Sequence, residues 1–166
     1  LLPTAKSQLR LLALDAAGNI CCGTSTSGWG WKYPGRPGDS PIVGAGCYAD
    51  TRYGAAACTG AGEMTIRCGT ARSVVLYMKR GASVEDAVLE AAEDMRALQG
   101  GLLSRVTIHG IDARGDHKVV AVNGAGDNTY WHWAGDAEPQ SRRAQPVRIH
   151  RDDIKPSATT RYAYGR

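Results

Sequence analysis

The residues able to do chemistry concentrate between Gly23 and Gly62, in the stretch GTSTSGWGWKYPGRPGDSPIVGAGCYADTRYGAAACTGAG. Arg36 and Asp39 stand three residues apart inside GRPGDSP, with Pro37 and Gly38 between them. Glycine and proline at this density set backbone geometry rather than fill a core. A rigid turn of this kind can grip a zwitterion: the guanidinium takes a carboxylate bidentately and the carboxylate takes an ammonium. That is how a free α-amino acid end is read. The alternative is a surface turn whose two charges satisfy each other.

Two strand ends flank that turn with hydroxyls. Ile20 to Thr26 reads as a strand delivering Thr24, Ser25 and Thr26, and Gly54 to Cys58 as a strand delivering Thr59 and Gly60. Ala61 and Gly62 then lead into a helix whose N-terminal amides and dipole favour a developing negative charge near Thr59 and Gly60. Together these features make Thr26, Arg36, Asp39, Thr59, Gly60, Ala61 and Gly62 candidates for one site.

The positioning elements follow from period and punctuation. Residues 9 to 15, LRLLALD, pair with 20 to 26 as a hairpin through the turn Ala16-Ala17-Gly18-Asn19. Met64, Cys68, Ala71, Val75 and Met78 recur at helical spacing, which predicts a helix from Glu63 to about Arg80 that closes at Gly81. Ser83 with Asp86 forms a capping box for a second helix, whose stripe of Val84, Ala87, Val88, Ala91, Met95 and Leu98 is core and which ends at Gly100-Gly101. Residues 102 to 112 alternate as a strand, turn at 113 to 116 and return at His117 to Val122, and Asn128 to Trp133 reads as the final strand. The order predicts an α+β fold, with helices packed on one face of an antiparallel sheet.

At 166 residues, with 43% apolar and 22% charged residues, the chain has room for one domain over 1 to 136 and a buried core. From Ala137 to Arg166 seven basic residues face three acidic ones, so this basic C-terminal extension carries the whole +4 charge. Its two adjacent aspartates, Asp152 and Asp153, favour a solvated or subunit-contacting segment over a nucleic-acid or lipid arm. No apolar run approaches the roughly 18 residues that span a bilayer, and the start lacks the ordered regions of a secretory signal. Membrane and nucleic-acid partners are therefore not expected, and the compartment stays open. Cys21, Cys22, Cys47, Cys58 and Cys68 show no CxxC spacing and read as buried free thiols rather than a disulfide or metal framework. His109, His117, His132 and His150 form no ligand spacing, and neither GxGxxG nor GxxxxGK[ST] is present, so no metal or cofactor is expected.

The motifs ALDAAGNICCGTSTSG, GRPGDSPIVGAGCYAD and GAAACTGAGEMTIR resemble the mature β subunit of the glycosylasparaginases, N-terminal-nucleophile hydrolases neighbouring the isoaspartyl peptidases and plant-type asparaginases. The resemblance covers roughly residues 8 to 133, and GDSP with GCYAD is closer to the glycosylasparaginase branch. It implies half of an αββα sandwich, completed by an α subunit or preceding segment of the same precursor in an (αβ)2 assembly made by autoproteolysis. It implies hydrolysis of the side-chain amide of an N4-substituted asparagine to release aspartate, with isoaspartyl peptidase or asparaginase activity as the alternative. Thr26 would support the nucleophile, Arg36 bind the substrate carboxylate, Asp39 bind its ammonium, and Thr59 and Gly60 form the oxyanion hole.

The family's nucleophile is a threonine whose own α-amine serves as base. Here that position falls on Gln8, and the glycine two residues on is Arg10. Three readings follow: the true β-subunit start lies elsewhere, the chain binds an aspartyl group without turnover, or Thr4 or Ser7 is exposed by processing.

Overall fold

The computed structural model describes residues 8–98 and 103–149. Over the first residues of β1 (Gln8–Leu14) side chains alternate between two environments: Leu9 and Leu11 are 65% and 56% exposed, while Gln8, Arg10 and Leu12 are more sheltered. Such alternation is the geometry of a strand with one face against protein. Its partner β2 (Ile20–Thr26) runs antiparallel in a register that sets Gln8 opposite Thr26, Arg10 opposite Thr24 and Leu12 opposite Cys22. The turn is locked by the Asp15 carboxylate, which accepts from the amides of Ala17 and Asn19 at 2.9 and 2.8 Å and from the Asn19 side chain.

A five-stranded sheet carries the rest of the site. It comprises β3 (Cys47–Asp50), β4 (Gly54–Gly60), β5 (Val106–Asp112), β6 (His117–Val122) and β9 (Gln145–Val147), in that spatial order, antiparallel except for the parallel β6–β9 pair. A separate hairpin joins β7 (Thr129–His132) to β8 (Gln140–Arg143). Among the described residues, three α-helices intervene between β4 and β5: α1 (Gly62–Cys68), α2 (Thr70–Lys79) and α3 (Val84–Asp94).

The core forms where α2 and α3 lie on the sheet. Val74, Val75, Val88, Ala91 and Met95 interlock with Cys58, Ile108, Val120 and Val122, all essentially buried. Each valine, isoleucine or methionine among them contributes about 1.5–3 kcal/mol on leaving water. Close approach needs small residues: a Cβ on Gly110 of β5 would stand 2.6 Å from Val88 Cγ2. In β4 the run Ala55-Ala56-Ala57-Cys58 is wholly buried, covered by helices on one face and by the β1–β2 hairpin on the other. The chain is thus a mixed α+β structure.

Several sequence expectations are corrected. The helix expected from Glu63 to Arg80 is two helices, because Gly69 adopts the left-handed region (φ 56°) and its N–H caps Ile66 and Thr65 carbonyls. The apolar period continues across that break, so spacing alone does not reveal it. β3 went unanticipated, since its four residues sit among glycines. Asn128 to Trp133 contains β7, yet it is not the last strand: β8 and β9 follow, and Ala144 and Ile149 are buried. The five cysteines are free, but only Cys58 is buried and Cys21 is exposed.

The second helix starts as expected, with Ser83 Oγ accepting the Asp86 amide at 3.1 Å. The Asp86 carboxylate turns to the Ser83 hydroxyl instead of completing the reciprocal box. The Gly100-Gly101 stop, the strand start at Leu102, Thr4, Ser7 and the tail from His150 onward lie outside the described residues.

Candidate active site

The inner row of β1 meets the end of β4. The Gln8 carboxamide oxygen accepts a hydrogen bond from the Thr59 hydroxyl, and Thr26 lies directly across the hairpin from Gln8. Thr26 Oγ1 accepts the Gly28 amide at 2.9 Å, which turns the chain out of β2. Gly60 has φ +120°, and a Cβ there would run into the Arg105 carbonyl oxygen, so only glycine fits. Gln8 and Gly60, with Gly28, Trp29, Ser104 and Arg105, line a cleft of about 190 Å³.

Asp39 is 4% exposed and anchored from below. Its backbone packs so closely on Gly62 that a Cβ there would lie 2.8 Å from the Asp39 nitrogen. Its carboxylate accepts from the Thr65 hydroxyl at 2.8 Å through Oδ2 and from Arg10 Nη2 at 3.5 Å through Oδ1. The Arg10 side chain is itself 3% exposed. Arg10 also donates to the Cys58 carbonyl through Nε, and to the Leu9 and Ser25 carbonyls at 2.9 and 3.4 Å through Nη1.

Arg36 has a different environment. Its Nε donates to Glu63 Oε1 at 2.9 Å and its Nη2 reaches the same oxygen, while the Glu63 side chain remains 61% exposed. The hydrogen bond from Arg36 holds the Glu63 carboxyl below its ordinary range. Gly38 leaves room for the guanidinium to fold over the turn, a Cβ there coming within 3.3 Å of Arg36 Nη1. Pro37 lies within that turn. Ala61 is buried and caps α1 without a side-chain acceptor, its N–H bonding the Arg105 carbonyl at 2.9 Å.

Arg36 and Asp39 therefore neither pair with each other nor stand jointly open. The cation holds an exposed, exchangeable carboxylate; the anion is already answered by a buried cation. His109, on the strand beside β4, is pushed down to about 4 by burial and then by Arg10, so it is neutral at pH 7. Burial, with Asp39 next, pushes the Cys58 thiol up, which keeps it protonated and poorly nucleophilic. No group of three metal-ligating side chains occurs among the described residues.

The structure brings Thr26, Thr59 and Gly60 around position 8, Asp39 against Gly62, and Arg36 onto the first turn of α1. Sequence reasoning missed Trp29, Ser104, Arg105, Glu63 and Thr65 as neighbours of the site. Alternation along β1 was the available signal for Arg10, since it places Arg10 on the same face as Gln8. Nothing local marks Ser104 and Arg105, which reach the cleft only through the β4–β5 register.

A family model described as asparaginase matches residues 10–136. The chain is 40% identical over 129 residues to an isoaspartyl peptidase of Salmonella typhimurium, covering 75% of this chain and 39% of that protein. An Escherichia coli isoaspartyl peptidase is 38% identical over 130 residues, covering 75% and 38%. An N(4)-(beta-N-acetylglucosaminyl)-L-asparaginase of Elizabethkingia miricola is 46% identical over 83 residues, covering 50% and 24%. The chain thus spans about two fifths or less of the length of these relatives.

Proposed function

Because the chain belongs to the asparaginase family over residues 10–136, we propose that it is the site-bearing portion of an amide hydrolase of the glycosylasparaginase type. It acts on the side-chain amide of an N4-substituted asparagine, or of an acid with the same four-carbon skeleton. The observation that carries this reading is the convergence on position 8: its side chain meets Thr59, its cross-strand neighbour is Thr26, and the cleft it lines includes Gly60.

The chemistry follows from those positions. Arg36 takes the ligand carboxylate in place of Glu63, which an exposed ion pair surrenders at small cost. The amide carbonyl then lies by Thr59 and Gly60, whose hydroxyl and N–H stabilise the tetrahedral oxyanion formed by attack. Attack from position 8 needs a hydroxyl, and Gln8 offers a carboxamide instead.

That single feature favours a second reading, in which this chain binds the acid without turnover. Incubation with aspartylglucosamine and with a β-aspartyl dipeptide separates the possibilities. Aspartate released from the first marks the glycosylasparaginase type, and release from the second marks an isoaspartyl peptidase. Binding weakened by Arg36→Ala, with no release from either, marks the binding-only reading.

We further propose that this chain is one half of an αββα sandwich, completed by an α segment of the same precursor in an (αβ)2 assembly. Support comes from the coverage of relatives and from Leu9 and Leu11, exposed on the outer face of the hairpin. Sedimentation as a monomer that stays monomeric when mixed with that segment would count against it.

A further inference from the structure

The cradle at Arg36 and Asp39 is asymmetric, and the asymmetry selects among ligands. Both oxygens of Asp39 are engaged from within the chain, one by the Thr65 hydroxyl and one by Arg10. The guanidinium of Arg10 cannot simply swing aside: Cys58, Leu9 and Ser25 carbonyls hold its other N–H groups, and its side chain is 3% exposed. Asp39 therefore already faces a fixed cation. A ligand ammonium arriving at Asp39 would meet a second positive charge in a poorly solvated setting, where like charges repel strongly. Arg36, by contrast, holds only an exposed glutamate that another carboxylate can replace in kind.

We propose that Arg10 occupies the seat of a substrate α-ammonium and thereby makes this chain select four-carbon carboxylates that lack a cationic α-group over the corresponding α-amino acid. The inference rests on the reading of Arg36 as the carboxylate handle, and narrows its ligand from an aspartyl to a succinyl skeleton. Arg10 is a specificity-determining residue in this scheme, acting through Asp39.

Calorimetric titration of the 166-residue chain with succinate and with L-aspartate at pH 7 tests it. Succinate should bind about tenfold tighter or more, and both should weaken in Arg36→Ala. In Arg10→Gly the order should invert, because Asp39 is then free for an ammonium; circular dichroism and thermal melting establish that the variant is folded. L-Aspartate binding as tightly as succinate in the unaltered chain overturns the proposal while leaving the Arg36 handle intact. A folded Arg10→Gly that still prefers succinate overturns it as well. Binding of neither ligand, or binding indifferent to Arg36→Ala, overturns the underlying reading of the cradle and this inference with it.

Discussion

Removing either partner of the Arg10–Asp39 pair should destabilise the chain more than its share of removing both. In Asp39→Ala the Arg10 guanidinium keeps its carbonyl acceptors but loses its counter-ion while 3% exposed. Leaving one member of a buried pair uncompensated costs about 3–5 kcal/mol. The 3.5 Å separation is at the long end for such a bond, which argues for about 3 kcal/mol here. Arg10→Met should cost a similar amount, since Asp39 then retains only Thr65 among its side-chain partners. With both replaced no charge is buried, and the double variant should fall short of the sum by about 2 kcal/mol. Urea unfolding of the four proteins at pH 7 measures this coupling, provided their denaturant slopes agree. The same cycle on Arg36 and Glu63 should give less than about 1 kcal/mol, fading with added salt because Glu63 is largely exposed. Additive Arg10 and Asp39 effects, within about 0.5 kcal/mol, would refute the buried pairing and the charge argument built on it.

His109 supplies a pH dependence of definite sign. Its folded value lies at about 4, below the unfolded 6.5, so the unfolded chain binds the proton first and stability falls as pH drops from about 6.5 toward 4. The loss is on the order of 3 kcal/mol, and His109→Gln should flatten that part of a pH–stability profile. Glu63→Gln should tighten succinate binding severalfold by removing the carboxylate that competes for Arg36, as calorimetry would report. Gly60→Ala should lower stability by about 2 kcal/mol or more in thermal unfolding, combining left-handed strain with a clash on the Arg105 carbonyl. Gly62→Ala should lower stability in thermal unfolding despite alanine's better helix preference, because the added methyl pushes the Asp39 backbone.

Much of this architecture is written locally. The turn after Asp15, the Ser83 cap and the return strand from His117 to Val122 rest on short-range signals, and each forms the element it predicts. The break at Gly69 is hidden because the buried positions on either side keep one continuous stripe. Strands β8 and β9 are polar and short, so their pairing depends on neighbours rather than on pattern. At the site, the convergence of Thr26 and Thr59 was legible from two hydroxyl-tipped strand ends. The partners of Arg36 and Asp39 were not, since a charge three residues away in sequence proved less relevant than Glu63 and Arg10, both delivered by folding.

The two rows of β1 also constrain which mutations this region can absorb. Inserting or deleting one residue ahead of Leu12 would exchange the rows wholesale, turning leucines toward Thr59 and Asp39 while casting glutamine and arginine outward. Substitutions at positions 8 and 10 can adjust the cleft and the surroundings of Asp39 without touching the outer surface. A change of length can do neither separately, so divergence here should proceed by replacement, with the spacing from Gln8 to Asp15 held fixed.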